Sequence, residues 1–220
     1  MSEDRPRIVV TVAAPVEAVW DAMRDKEKIR HWHGWEVEGD GLEQEIDLIY
    51  FSDVTADEDS RILTLGNGDQ FVVEPVEGGS RVTLTRAAYG DNPEWDAYYD
   101  DITEGWITFL QQLRFALERH PGEPRRTLFY SGTGDRSPID AQPDLIGAAA
   151  EWFKSEHQVG LTVDDWGDGL LVLSHIPPSE KKPAGASMAI LTLYGDVDRE
   201  AVDARWKAWW EARYPKPLDL

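Results

Sequence analysis

Apolar positions recur at two periods along the chain, and each change of period marks an element. Arg7 to Ala14 alternate in part and are rich in β-branched residues, which predicts a strand. In "PVEAVWDAMRD", Pro15 suits a first helical turn, and Val16, Val19, Trp20 and Met23 fall at helical spacing, which predicts a short helix. "KEKIRHWHGW" reads as a second short helix that stops at Gly34. Four strands are then expected: Leu42 to Phe51, Arg61 to Leu65, Gln70 to Val76 and Arg81 to Tyr89. In the first, Leu42, Ile46, Leu48 and Tyr50 share one phase of a two-residue period, while Glu43, Glu45 and Asp47 share the other. "GNGD" and "EGGS" between later strands supply residues that tolerate hairpin turns.

The longest helical stripe follows, in "NPEWDAYYDDITEGWITFLQQLRFALERH". Asn92 is placed to cap it before Pro93. Trp95, Tyr98, Tyr99, Ile102, Trp106, Phe109, Leu110, Leu113 and Leu117 form its apolar side. At 1.5 Å per residue such a helix runs about 40 Å, enough to cross a whole sheet. "PGEP", Pro121 to Pro124, ends it and reads as a linker. Beyond it "RRTLFYSG", "QVGLTVDD", "GLLVLSHI" and "ASMAILTLYG" read as strands, "PDLIGAAAEWF" as a helix capped by Asp140 or Asp144, and "DREAVDARWKAWWEARY" as a final amphipathic helix. Residues 1–122 and 125–220 are therefore expected to be two units. Trp206, Trp209 and Trp210 neighbour one another on the last helix, and part of that stripe is expected to be covered by the first unit.

Composition narrows the function. The 220 residues are 41% hydrophobic and 29% charged, an ordinary globular balance, and they include ten tryptophans, rings that favour cores, grooves and ligand cavities. The absence of cysteine removes disulfides, thiolate catalysis and thiolate-held metals. The formal charge of −20 argues against nucleic acid and against anionic membranes, since both are bound through lysine and arginine. The charge is uneven: residues 1 to 124 carry 27 acidic against 11 basic side chains, and the rest 15 against 11. The opening "MSEDRPRIVV" is too polar for a secretory leader, and no run approaches the ~20 apolar residues of a membrane span, so a soluble, cytoplasmic protein is expected.

Two stretches carry a family resemblance. "VTVAAPVEAVWDAMRDKEKIRHWHGWE" and "YYDDITEGWITFLQQLRFALE" resemble the SRPBCC (START-like) superfamily, and within it the AHSA-type branch, the homologues of the activator of the heat-shock chaperone ATPase. The resemblance covers residues 8 to 120, about half of the chain. It implies an α+β helix-grip fold, in which a curved antiparallel sheet wraps a long C-terminal helix around a cavity for a hydrophobic or aromatic small molecule. The second, smaller α+β unit departs from that pattern. Relatives include binders, cyclases, hydratases and chaperone regulators, so the fold leaves the chemistry open.

His31 and His33 raise the question of a metal, because His-x-His gathers both rings on one face of a strand and separates them by about 200° on a helix. In the resembling branch the "HWHGWE" turn aligns with a paired-aromatic lip, which places Trp32, His33 and Trp35 at a cavity mouth; no metal and no cofactor is expected. Tyr50, Phe71, Trp95, Tyr98, Trp106 and Phe109 are the further candidate ligand contacts. Arg86 shares the parity of Val82 and Leu84, so it could hold an anionic group of the ligand, against the alternatives of reaching solvent or pairing with an acid of the long helix. No nucleophile elbow or phosphate loop is present, and adjacent acids such as Asp100 and Asp101 read as solvated surface. Catalytic residues stay unassigned. The leading reading is a binding protein without enzymatic activity; a cyclase or dehydratase using His31, His33 or a tyrosine follows, then regulation of a chaperone.

Overall fold

The computed structural model describes residues 5–36, 39–88, 99–134, 136–141, 146, 149–178, 183–216 and 218. The chain divides into two units, Met1–Glu123 and Pro124–Leu220.

In the first unit, β1 (Arg7–Val12) leads into α1 (Val16–Arg24) and α2 (Lys26–Ile29), then α3 (Gly41–Tyr50). Strands β2 (Thr55–Asp57), β3 (Ile62–Thr64), β4 (Gln70–Val76) and β5 (Gly79–Thr85) follow, and α4 (Tyr99–Arg119) closes the unit. The antiparallel sheet has the order β1-β5-β4-β3-β2, so the first strand pairs with the last. Alternation decides which side chains go in: Val10, Val12, Leu63, Phe71, Val73, Val82 and Leu84 are buried, while Val9 is half exposed. Onto that face α4 sets Trp106, Leu110, Leu113 and Ala116 in one core with α1's Val16, Val19, Trp20 and Met23. A strand, three helices, a meander and a long helix laid on the sheet make a helix-grip arrangement. The β4–β5 hairpin turns at Gly78, φ +81°, and a Cβ on Gly79 would lie 2.1 Å from the Val12 carbonyl oxygen.

The expected strand from Leu42 to Phe51 is a helix. Both periods fit Leu42, Ile46 and Tyr50, which recur every fourth residue. The strand reading also needs Leu48 inside, whereas Leu48 is 62% exposed, and half-buried Ile49 takes the inner position instead. Strand β2 was not expected: all three of its residues are exposed, so it leaves no alternation to read. The expected beginning of the long helix at Pro93, with Trp95 and Tyr98, lies outside the described residues.

The second unit runs β6 (Arg126–Gly132), α5 (Pro138–Ala141), β7 (Ala149–Lys154), β8 (Gln158–Val163), β9 (Gly169–Ile176), β10 (Ala186–Leu193) and α6 (Arg199–Glu211). Its antiparallel sheet has the order β6-β10-β9-β8-β7. The helix expected over "PDLIGAAAEWF" is, from Ala149 on, strand β7. Pairing with β8 overrides the helix preference of the alanines, and Gly160 of β8 leaves room for the Phe153 ring, 2.3 Å from where its Cβ would stand. Asp198 caps α6 by accepting the Ala201 N–H at 3.0 Å. Trp206, Trp209 and Trp210 are buried in a cluster with Leu128, Val163, Trp166, Leu171, Leu191 and Tyr214, all of their own unit.

Candidate functional site

The "IRHWHGW" stretch extends α2 by a helical turn. The His33 N–H donates to the Ile29 carbonyl at 2.8 Å, and the chain then reverses at Gly34, φ +60°. The helical geometry sends the two histidines apart: His31 is half-buried, and His33 is fully buried. Trp32 docks this turn on α1, its indole N–H donating to the Ala22 carbonyl at 2.8 Å. Expected at a cavity mouth, Trp32 is here a buried anchor of the turn.

Around His33 lies a ring cluster assembled from four parts of the chain. The Tyr50 ring of α3 sits 5.1 Å from the imidazole and 5.8 Å from Trp32, both edge-on. From α4, Phe109 lies 4.4 Å from His33 and Trp106 6.0 Å from it, and Trp106 also meets Phe71 of β4 at 5.1 Å. Half-buried Trp35 reaches Phe109 at 6.2 Å, so these two rings form the outer side of the cluster. Six of the ten candidate residues, Trp32, His33, Tyr50, Phe71, Trp106 and Phe109, are thus in mutual contact, with Trp35 at their edge. Trp95 and Tyr98 lie outside the described residues.

Two polar groups are built into this apolar surrounding. In the first, His33 Nδ1 is 2.9 Å from the Tyr50 hydroxyl and its Nε2 is 3.2 Å from Glu45 Oε1. An ionised carboxylate only accepts, so a neutral imidazole carries its proton on Nε2 and accepts at Nδ1; the Tyr50 O–H then donates to it. Burial, with a smaller contribution from the Glu45 charge, pushes the Tyr50 hydroxyl well above its ordinary pKa. Glu45 is partly exposed, so the chain of bonds runs from solvent to the interior.

The second group centres on Asp69, in the turn before β4. Its carboxylate accepts from Arg86 Nε at 2.9 Å, the Ala87 N–H at 2.8 Å and the Trp106 indole N–H at 3.1 Å, while Arg86 Nη1 donates to the Thr103 hydroxyl. Asp69 and Arg86 are both buried. The Arg86 guanidinium, weighed above as a ligand contact, is held by an acid of the β3–β4 turn and a hydroxyl of the long helix. Trp106 touches both polar groups, through its N–H to Asp69 and its ring to His33 and Tyr50.

Sequence reasoning did not single out Glu45, Asp69 or Thr103. Glu45 was assigned to the wet face of a strand, whereas on a helix residues 42, 45, 46 and 49 share one side. Asp69 read only as a turn residue, because its partner is 17 positions away. Among the described residues, no group of three or more histidines, cysteines or acids is arranged to hold a metal, and no helix is long and apolar enough to cross a membrane.

Two open grooves lie elsewhere on the first unit. One of about 440 Å³ is lined by Ala13 to Glu17, Arg61, Pro75, Gly78 and Gly79, and one of about 370 Å³ by β1, Gln111, Arg114 and Glu118. Neither touches the ring cluster. The convergence of buried polar groups on the ring cluster is the guide to a site.

No family model and no curated protein matches the chain. Among solved structures it is similar to DynU16, a protein of the dynemicin biosynthetic locus, with 16% identity, 96% of each chain covered and a TM-score of 0.36. StfQ, a di-domain ARO/CYC from the steffimycin biosynthetic pathway, is similar at 11% identity over 93% of this chain and 92% of that one, TM-score 0.36. A Staphylococcus saprophyticus protein is 22% identical over 52% of this chain and 93% of its own, TM-score 0.37. Likenesses of this degree decide nothing about residues or activity.

Proposed function

We propose that the first unit binds an apolar, aromatic small molecule in the ring cluster between α3, α4 and the sheet, entering past Trp35 and Phe109. One observation carries this reading: a fully buried histidine, hydrogen-bonded at both ring nitrogens, sits inside a nest of aromatic side chains. Stability alone favours an apolar filling at such a place, because burying polar groups costs free energy that their hydrogen bonds only partly return. The resemblance to the AHSA-type branch of the SRPBCC superfamily supports the same location, since such a fold holds its ligand between helix and sheet. Tyr50 lies buried at the inner end of the cluster, and half-buried Phe109 and Trp35 are the rings a ligand meets first.

Native mass spectrometry of the protein purified from its own host tests the reading, with Phe109→Ala beside it. A retained small aromatic adduct, weakened in the variant, is expected. An apo mass throughout, together with no binding of naphthalene-based probes, would overturn it.

A second reading rests on the same pair of groups. The Tyr50 hydroxyl bonded to His33 has the make-up of an acid–base pair, which favours a cyclase or dehydratase over a purely passive binder if the ligand reaches it.

A further inference from the structure

We propose that the site selects ligands carrying a hydrogen-bond donor, a phenolic or alcoholic hydroxyl, and that Glu45 sets this preference from the outside through His33. This rests on the binding reading above and names the chemistry of its ligand.

The argument follows the direction of the hydrogen bonds. Glu45 is the only end of the chain whose role is fixed by its chemistry: as a carboxylate it accepts, at 3.2 Å from His33 Nε2. The proton of a neutral imidazole is thereby drawn to Nε2, and Nδ1 presents a lone pair. Tyr50, 2.9 Å away, can satisfy that lone pair only by donating its single hydroxyl proton. The Tyr50 oxygen is then an acceptor alone. It makes no second hydrogen bond among the described residues, although Tyr50 is 1% exposed. Among the described residues, the indoles beside it give their N–H elsewhere: Trp32 to Ala22, and Trp106 to Asp69.

An aromatic ligand that reaches Tyr50 therefore meets an acceptor. A hydroxyl fits it. A carbonyl or ether oxygen faces another oxygen with no proton between them, and a buried polar mismatch of this kind discriminates far more sharply than a change of apolar size. Glu45 never needs to touch the ligand; it is a positioning residue, acting through the tautomer of His33.

The test uses the full-length protein at pH 8 and matched probes that share one ring system: 2-naphthol, 2-methoxynaphthalene and 2-acetylnaphthalene. Naphthol is expected to bind about tenfold more tightly than either of the others, the ratio of one satisfied against one unsatisfied hydrogen bond. Tyr50→Phe should bring the three to within about twofold of one another, chiefly by weakening naphthol. Glu45→Ala, at a partly exposed position where folding is not at stake, should also shrink the preference. Nitrogen-15 NMR of the imidazole gives a readout without any ligand: wild-type His33 should show the Nε2-protonated form and Glu45→Ala a mixture. Equal binding of the three probes to the wild type, or an Nδ1-protonated His33, would overturn the inference while leaving the binding reading in place. Failure of all three probes to bind would overturn both.

Discussion

The two units solve the same packing problem with different interiors. Each lays a helix on a five-stranded antiparallel sheet. The first buries a carboxylate, a guanidinium and an imidazole among its rings, at Asp69, Arg86 and His33. The second gathers Leu128, Leu171, Leu173, Leu191, Leu193 and a tryptophan trio in its cluster, and the buried polar side chains of its strands, Thr127, Gln158, Ser174, Ser187 and Thr192, are uncharged. Buried charge is costly to hold and sharply destabilising when one partner is lost, so the paired Asp69 and Arg86 set the first interior apart from one held by apolar packing alone.

Asp69→Ala should break this comparison most severely. It takes the Asp69 carboxylate away from Arg86, the Ala87 N–H and the Trp106 indole together, and a loss of about 3–5 kcal/mol is expected in urea unfolding. A loss under about 1 kcal/mol would mean that water already reaches the pair. In the second unit Trp206→Ala acts through lost ring contacts and a cavity, with a loss of about 3 kcal/mol, and the drop should scale with residual cavity volume across Trp206→Phe, Leu and Ala.

Alkaline titration sharpens the contrast at smaller amplitude. Burial raises the hydroxyl of Tyr50 well above its ordinary value, and burial likewise pushes Tyr214 up to about 12. Raised tyrosines favour the folded state fully below the unfolded pKa of about 10, and that contribution fades as pH climbs through the folded value. Stability should therefore fall from pH 10 upward, and Tyr50→Phe should flatten the fall more than Tyr214→Phe does. Thr192→Val should be the mildest change, within about 0.5 kcal/mol of neutral or slightly stabilising, because the buried Thr192 hydroxyl has no partner among the described residues to lose. A loss above about 1 kcal/mol there would reveal a polar partner and weaken the contrast between the units.

How far the sequence spoke depended on whether one period or two could be read from it. β4 and β5 were legible because alternation and the Gly78 and Gly79 turn agreed. The Leu42 to Phe51 segment was not, since three of its four marker residues satisfy a strand and a helix equally, and β7 was not, since its alanines prefer the helix that pairing with β8 forbids. For the site, aromatic residues announced themselves: Trp32, Tyr50, Phe71 and Phe109 converge on His33 and Trp106. Their polar partners did not. Glu45 and Asp69 are two among 42 acids, and only the folded chain shows which two are turned toward the rings.

The central claim is that the first unit's ring cluster, and not the second unit's, receives the ligand. The chain's ten tryptophans allow a direct measurement, since each indole N–H is a separate NMR reporter. Titrating the full chain with 2-naphthol should move the signals of Trp32, Trp35 and Trp106 and leave Trp166, Trp206, Trp209 and Trp210 in place. Shifts confined to those last four, or none at saturating probe, would contradict the account.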